Sequence, residues 1–192
     1  MKAGADSELW FADGVRFELL PVTTYTYRQR GQPMRIPTPG KNARVAVCGA
    51  YRWPDGPFVF THGPKCVNSG LFIGMLQMLE ARASRTGRRI VLVLDNGSAH
   101  KSKRSVAEIH RVKDCIRVRW LPTYTSEQLN DIEGVWKHLK EDYFSRMLVE
   151  DREKFPGAVV ALLLRMRRGH MLRTMLKPRH RLSNSNKFAL PA

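Results

Sequence analysis

Three acidic residues of this chain occupy positions at which a fold can gather carboxylates around metal ions. Asp95 directly follows the apolar run Ile90–Leu94, and Asp13 follows the strand-like segment Leu9–Ala12. Glu133 lies farther along, in a segment whose apolar residues have helical spacing. Carboxylates that converge from distant positions can hold two divalent ions about 4 Å apart, one activating a nucleophile and one stabilising the leaving oxygen. Such a trio would cleave or join phosphodiesters.

Each acid, taken alone, also fits an ordinary structural role. Asp95 begins an Asp-Asn-Gly sequence and Asp13 precedes Gly14, and both combinations are typical of turns. Glu133 can pair with Lys137 on a solvated helix face, an i,i+4 interaction worth only about 0.3 to 0.5 kcal/mol. The three acids by themselves therefore leave the structural and the catalytic interpretations open.

The charge balance of the chain indicates its class of partner. The 192 residues include 33 Lys and Arg against 17 Asp and Glu, a formal net charge of +16. A polyanion would neutralise that excess and a neutral metabolite would not, so nucleic acid is the expected partner. A ribosomal or histone-like protein is equally basic, so charge leaves the chemistry undecided. With 43% hydrophobic residues, the chain is long enough for one domain with its own core.

The cysteines and the apolar segments argue against a secreted or membrane protein. Cys48, Cys66 and Cys115 are an odd number at irregular spacings, which fits reduced thiols better than a disulfide framework or a C-x-x-C metal knuckle. The N-terminus has no apolar signal core, and the longest apolar run, Ala158–Leu164, is too short to span a bilayer. We therefore expect a cytoplasmic, nucleoid-associated protein with no membrane partner.

The first half of the chain has the pattern of an antiparallel meander. Four short β-like runs alternate with turn-forming residues: Leu9–Ala12, Phe17–Leu20, Arg44–Tyr51 and Phe58–Thr61. Ser69 then stands where it would cap an amphipathic helix, and Gly87 stands where that helix would end.

The second half alternates strand-like and helix-like segments. Ile90–Leu94 is a continuous apolar run typical of a strand buried on both faces, whereas Ile116–Trp120 alternates as a more exposed strand does. Helices are expected over Ser102–His110, along an apolar stripe from Leu129 to Tyr143 that includes Trp136, and over Pro156–Met175. The spacing of Trp136 within the stripe predicts core packing rather than stacking on a base.

Two basic regions are candidates for contact with a phosphate backbone. Arg28, Arg30 and Lys41 lie in turn-rich segments that suit either a loop lying on DNA or a solvated connector. From Lys154 onward the chain has basic residues but no Asp or Glu, and this stretch includes Arg165, Arg167, Arg168 and Arg173. The C-terminal stretch predicts sequence-independent, salt-sensitive binding, and the alternative is a solvated helix face followed by a frayed tail.

Five segments, in order along the chain, carry a resemblance to a known family: Asp13 after Leu9–Ala12, Arg30–Pro33, Asp95–Lys101, Leu121–Ser126 and Leu129–Trp136. Together they resemble a mariner-type DDE transposase, and more narrowly the DDE superfamily endonuclease domain of bacterial insertion sequences. The similarity extends from about Glu8 through Tyr143. The 38 positions from Asp95 to Glu133 fall within the range that such domains use between their second and third acids.

The resemblance implies an α/β, ribonuclease H-like fold with a mixed five-stranded sheet and flanking helices, whose first and fourth strands bring two aspartates together. Residues 1–153 would form the catalytic domain, and residues 154–192 a basic C-terminal helix and tail. Asp13, Asp95 and Glu133 would be the catalytic triad and would bind Mg²⁺ or Mn²⁺, as two ions. His100 and Asn130 match family positions near the acids and would orient a carboxylate or touch a phosphate, although a lone histidine is more often structural.

The implied activity is metal-dependent cleavage of DNA at element ends, followed by transfer of the freed 3′-hydroxyl to target DNA. The family's upstream helix-turn-helix region is absent from this sequence, so an upstream DNA-binding polypeptide and a homodimer on DNA are further candidate partners. Two alternatives stay open. In the first alternative the chain is a catalytically inactive DNA-binding remnant, and in the second it is a non-transposing nuclease of the same fold.

The sequence departs from the family pattern at three places. Gly14 stands where relatives carry a second acid, and Asp131 stands where they have proline. The segment Thr123–Ser126 is also looser than the Pro-x-Ser-Pro loop of the family. None of these departures removes an expected metal ligand, but the last two put the approach to Glu133 in question.

Overall fold

A mixed sheet of five strands forms the centre of the computed structural model, which describes residues 6–20, 41–54, 56–123, 125–144 and 152–167. The strands are β1 (Ser7–Glu18), β2 (Arg44–Arg52), β3 (Phe58–Gly63), β4 (Arg89–Leu94) and β5 (Ile116–Trp120). The helices are α1 (Ser69–Thr86), α2 (Ser98–Lys101), α3 (Lys103–Arg111), α4 (Ser126–Leu129), α5 (Ile132–His138) and α6 (Phe155–Arg167), with a π-helical turn over Leu139–Phe144 after α5. Among these helices none is long and apolar enough to cross a membrane.

The strand order is β3-β2-β1-β4-β5. Strands β1, β2 and β3 pair antiparallel as the predicted meander, whereas β4 runs parallel to both β1 and β5. Parallel strands need crossover connections, and α1 supplies the one that leads from β3 into β4, whereas α2 and α3 supply the one between β4 and β5. The prediction of a mixed five-stranded sheet with flanking helices is confirmed.

Side chains alternate between the two faces of the sheet and form two separate cores. On one face, Trp10 and Leu92 pack with α1 residues such as Phe72 and Leu76. On the other face, residues of β1, β2 and β3 pack with α5 and α6: Val15, Phe17, Val45, Val47, Tyr51, Phe58, Trp136, Val159, Leu163 and Met166. Because α6 contributes to this second core, the described part of the C-terminal segment packs on the same sheet as the rest of the chain.

The expectation of two strands over Leu9–Ala12 and Phe17–Leu20 is wrong, because both belong to the single strand β1. The buried side chains change phase within it, from Trp10 and Ala12 on the α1 face to Val15 and Phe17 on the other face. This change of phase interrupts the period-two pattern, so the sequence reads as two runs. The pair Asp13-Gly14 is therefore not a turn, and both residues pair with β2.

The expectation that Ile90–Leu94 is buried on both faces is also wrong. In β4, Ile90, Leu92 and Leu94 are buried, but Val91 and Val93 between them are only half-buried. The reason is that α5 and α6 pack mainly over β1, β2 and β3. The sequence shows the apolar run but not how far the second helical layer extends.

The helix ends mostly follow the sequence signals. The N-cap of α1 is Asn68, whose side-chain oxygen accepts a hydrogen bond of 3.1 Å from the Leu71 N–H, so the predicted cap at Ser69 is one residue late. Gly87 ends α1 with φ of 65°, a left-handed conformation that favours glycine. The last helix begins one residue before the predicted Pro156, and the part of the prediction beyond Arg167 lies outside the described residues.

A buried carboxylate ties β1 to α1 and β2. Glu8 is 4% exposed and receives two hydrogen bonds of 2.8 Å from the Arg82 guanidinium, as well as one of 3.0 Å from the Trp10 indole. Arg52 adds an ion pair of 3.2 Å, and the Arg82 guanidinium also lies over the Trp10 ring. The hydrogen bonds from Arg82 lower the pKa of Glu8 to about 2 against the opposing effect of burial.

We expect Glu8→Gln to lower the free energy of unfolding at pH 7 by about 2 to 3 kcal/mol, because it leaves the Arg82 charge without its partner. Since the folded-state pKa is depressed, this stabilisation is complete above the ordinary value of 4.5 and is lost as pH falls toward about 2. Urea unfolding between pH 2 and 7 measures both effects. Glu80→Gln, which removes a half-buried partner of the exposed Arg111, is the matched control and should cost much less.

Candidate active site

Strand register brings Asp13 and Asp95 together. Phe11 on β1 pairs with Val93 on the parallel strand β4, and each aspartate lies two residues farther along its own segment. Two residues is one full side-chain period, so both carboxylates project from the sheet face covered by α5. The adjacency of the first and fourth strands, which the family resemblance implied, is present.

Glu133 reaches the same place from the first turn of α5. The segment before it is fastened to β1, because the Asn130 side-chain amide donates a hydrogen bond of 3.2 Å to the Ala12 carbonyl. The Glu133 N–H in turn donates to the Asn130 carbonyl at 3.0 Å. The three acids line one open cleft of about 720 Å³, together with residues of β1, of the segment after it, of α5 and of the π-helical turn: Gly14, Val15, Arg16, Phe17, Glu18, Leu20, Trp136, Lys140 and Phe144.

The environment of Asp13 disfavours its charged form. The side chain is 9% exposed, and burial together with the negative charge of Glu133 raises its pKa to about 7, with a smaller contribution from Asp95. Buried carboxylates that repel one another are stabilised when a cation lies between them. This electrostatic arrangement therefore favours a bound positive ion in the cleft.

Asp95 differs from Asp13 because its charge is satisfied. Its Oδ1 atom lies 2.7 Å from His100 Nδ1 and accepts a hydrogen bond of 3.1 Å from the Gly97 N–H. The bond with His100 lowers the Asp95 pKa, with burial acting against it. Asp95 thus makes the local turn contact expected of Asp-Asn-Gly and still lines the cleft, so its two interpretations are compatible. No described residue donates a hydrogen bond to Oδ2, the second oxygen.

His100 is buried behind Asp95. Its ring is 3% exposed and packs on Phe72, with ring centroids 4.7 Å apart. Asn96 fixes the same loop from the other side by donating a hydrogen bond of 2.7 Å to the Leu121 carbonyl at the end of β5. The family resemblance implied that His100 lies near the acids, and its position behind Asp95 fits orientation of that carboxylate.

The donor chemistry of the cleft fits a hard divalent cation, since carboxylate oxygens are the ligands that Mg²⁺ and Mn²⁺ prefer. Asp13, Asp95 and Glu133 are the residues that would hold it. Within the described part of the chain, however, no three His, Cys, Asp or Glu side chains already stand as a group that would close around one ion. Side-chain movement within the cleft would have to accompany metal binding.

Trp136 lies in the core, as predicted, and shapes the floor of the site. It is 2% exposed and makes edge contacts with Phe17 and Phe58. Its ring also lies against Gly49, the cross-strand partner of Asp13, where an added Cβ would come within 2.8 Å of the indole. The absence of a side chain at Gly49 therefore allows α5 to approach β1 closely enough to bring Glu133 to the cleft.

Two of the three departures from the family pattern have structural explanations. At Gly14 an added Cβ would lie 2.5 Å from Val67 Cγ1, so Val67 occupies the space that a second acid would need. Asp131 accepts a hydrogen bond of 2.5 Å from the hydroxyl of the fully buried Tyr51, whose pKa burial raises well above its usual range. This hydrogen bond holds the segment before Glu133, and a proline at position 131 would not make it because its side chain has no acceptor.

The predicted phosphate-contacting residues lie outside the cleft where they are described. Lys41 is exposed just before β2, and Arg165 and Arg167 are exposed on α6. Arg28, Arg30, Arg168 and Arg173 lie outside the described residues. Sequence reasoning did not single out Lys140, which lines the cleft, although its place seven residues after Glu133 gives it the same side of a helix.

Comparisons with known proteins agree with this geometry. The family model of the DDE superfamily endonucleases matches residues 8–155. A 39 kDa protein of insertion element IS630 from Shigella sonnei is 30% identical over 140 residues, which cover 73% of this chain and 40% of that protein. This chain thus spans less than half the length of that relative.

Solved structures of the Mos1 mariner transposase share the fold. The paired end complex with Mn has a TM-score of 0.61 at 10% identity, covering 88% of this chain and 52% of the other. The isolated Mos1 catalytic domain has a TM-score of 0.53 at 10% identity, covering 81% of this chain and 69% of the other. The sheet order and this likeness make the fold ribonuclease H-like, as predicted. Because the family model of the DDE superfamily endonucleases matches residues 8–155, the chain belongs to that family.

Proposed function

We propose that this chain is the catalytic domain of a transposase, which cleaves DNA at the ends of an insertion element and joins the freed 3′-hydroxyl to target DNA. The observation that carries the proposal is that Asp13, Asp95 and Glu133 line one cleft although they come from distant segments. Family membership, the insertion-element relative and the fold likeness to Mos1 transposase support the same conclusion.

Asp13, Asp95 and Glu133 would hold Mg²⁺ or Mn²⁺, as two ions. When bound, such ions activate the attacking hydroxyl and neutralise charge on the leaving oxygen. The same three carboxylates would serve DNA hydrolysis and strand transfer, because both reactions displace an oxygen at phosphorus.

Other side chains prepare the site without touching a metal. His100 and the Gly97 N–H both hold Asp95 through Oδ1, which fixes the direction of Oδ2. Asn130 anchors the entry to α5 and thereby the backbone of Glu133. Lys140 lines the cleft that contains the acids, where its positive charge would attract a phosphate of the DNA backbone.

The basic residues outside the cleft are proposed to bind DNA without sequence preference. Lys41 neighbours Asn42, whose amide donates a hydrogen bond to Glu18 at the edge of the cleft. Arg165 and Arg167 lie on the exposed side of α6, and Arg28, Arg30, Arg168 and Arg173 would extend the positive surface. Element ends and target DNA are the proposed ligands, with an upstream DNA-binding polypeptide and a second copy of the chain as proposed partners.

One observation favours the alternative of an inactive DNA-binding remnant. The three acids share a cleft, but among the described residues they are not already assembled as a metal-binding group. A remnant would keep the fold and the basic surface and would not take up metal. A non-transposing nuclease would take up metal and cleave DNA but would yield no joined products.

Calorimetry with Mn²⁺ separates these functions. For a competent site we expect metal uptake by the chain with DNA bound, and a loss of affinity of about tenfold or more in Asp13→Ala, because a carboxylate ligand is removed. Asp114→Ala, which removes an exposed acid in the turn before β5, is the control and should bind Mn²⁺ as the unmodified chain does. Absence of uptake by the unmodified chain would favour the remnant.

A further inference from the structure

Half of the sheet face that carries the acids is left open by the described helices. A row of paired residues crosses this face from the fully buried Phe58 and Tyr51, through the half-buried Phe11 and Val93, to the exposed Arg119. The change in exposure along the row follows the position of α5 and α6, which pack mainly over β1, β2 and β3. The open half of the face therefore lies over β4 and β5, beside Asp95.

Two arginines border this open half. Arg117 and Arg119 pair with Val91 and Val93 on the parallel strand β4, so their side chains share the face of the acids. Strand β5 is the edge of the sheet, and both arginines are exposed. They lie about 7 Å apart along the strand. Arg119 pairs with Val93, which is two residues, or one side-chain period, before Asp95.

Neither arginine has an acidic partner among the described residues. This distinguishes them from Arg52 and Arg82, which bind Glu8, and from Arg111, which binds Glu80 and Glu108. A guanidinium without a carboxylate is available for a phosphate, which it recognises with the same fork of donors. A protein segment laid over this face would instead have to bury two unpaired charges, which is costly.

We propose that this open face, formed by Val91, Val93, Arg117 and Arg119, is a seat for the DNA backbone that continues from the reacting phosphodiester in the cleft. Each arginine contacts one phosphate. The inference rests on the proposed function, because it takes from it that DNA enters the cleft. Contacts of this kind position the duplex and carry no sequence information.

The test compares two double variants that lose the same charge. Arg117→Gln with Arg119→Gln alters the proposed seat, whereas Arg85→Gln with Arg88→Gln removes two exposed arginines near the start of β4, at the end of the sheet opposite Asp95. All four positions are exposed, so the fold should persist, which thermal unfolding checks. Affinity for a fluorescent duplex is measured by anisotropy in EDTA over a range of salt concentrations, so that catalysis plays no part.

We expect the Arg117 and Arg119 variant to bind DNA about tenfold more weakly at low salt. The slope of log affinity against log salt should become shallower by about 2, because two phosphate contacts are lost. In the Arg85 and Arg88 control, the slope should differ from that of the unmodified chain by less than half of the change expected for the Arg117 and Arg119 variant. Equal slopes in the two variants, whether both reduced or both unchanged, would overturn the proposed seat.

Failure of the proposed function would look different. A chain whose binding depends on Arg117 and Arg119 but which never cleaves DNA with Mn²⁺ would refute the transposase activity and leave the DNA seat in place. A chain that cleaves and joins DNA with an unchanged salt slope in the Arg117 and Arg119 variant would refute the seat alone.

Discussion

Replacing Asp95 by Asn is expected to abolish both DNA nicking and strand transfer, lowering each rate by about 10³-fold or more. The amide keeps the shape of the side chain but removes the charge that a divalent ion requires. A loss of several kcal/mol of electrostatic stabilisation in the transition state corresponds to a factor of this size. The assay uses a supercoiled plasmid carrying the element with its own ends, incubated with Mg²⁺, and counts nicked and joined products.

The fold of the Asp95→Asn variant should be retained, because the amide oxygen can still accept the hydrogen bonds from Gly97 and His100 that now reach Oδ1. Asp114→Asn makes the same chemical change at an exposed position and should leave both rates unchanged. Nicking by Asp95→Asn at the rate of the unmodified chain would remove Asp95 from the catalytic group. Loss of joining alone, with nicking intact, would contradict one shared site for both reactions.

The sequence predicted where helices and strands end better than it predicted which faces of the strands are covered by helices. Asp95 was identified because it ends an apolar run, and the sequence signal for α1 named Gly87 correctly because a left-handed cap needs glycine. The phase change within β1 and the half exposure of Val91 and Val93 were missed. Both depend on where α5 and α6 lie over the sheet, and no local pattern encodes that.

The candidate site shows the same contrast between features that local sequence predicts and features that depend on distant contacts. Local sequence and the family resemblance indicated the three acids, and the register of β1 and β4 was needed to place Asp13 beside Asp95. The departures at Gly14 and Asp131 could not be interpreted from their neighbours. Their contacts are with Val67 and Tyr51, which are 53 and 80 positions away along the chain.

Those distant contacts bear on whether the site is intact. A departure that simply loosened the site would leave unfilled space or an unsatisfied polar group in its place. Instead Val67 packs where an acid at position 14 would lie, and Tyr51 donates its hydroxyl hydrogen to Asp131. The surroundings of both positions are adapted to the residues present, which supports a site maintained in a variant form.

The second large effect is expected at His100, as a positioning residue for Asp95. His100→Ala removes the 2.7 Å contact to Asp95 Oδ1 and leaves one oxygen held only by the Gly97 N–H. Loss of a group that orients a metal-binding carboxylate typically costs about 10 to 100-fold in metal affinity or activity. We expect a reduction of that size in Mn²⁺ affinity, measured by calorimetry with DNA bound, and in the nicking rate.

A conservative variant distinguishes orientation from simple packing. In the contact with Asp95, His100 Nδ1 is the hydrogen-bond donor, because an ionised carboxylate oxygen can only accept. The Asn side chain places an N–H near the position of Nδ1 but does not fill the space against Phe72. His100→Asn should therefore recover most of the Mn²⁺ affinity lost in His100→Ala, while both variants unfold at lower temperature. Equal Mn²⁺ affinity in the Ala, Asn and unmodified proteins would show that His100 only fills the core. The control is His62→Ala, at an exposed position on β3, which should change neither the Mn²⁺ affinity nor the unfolding temperature.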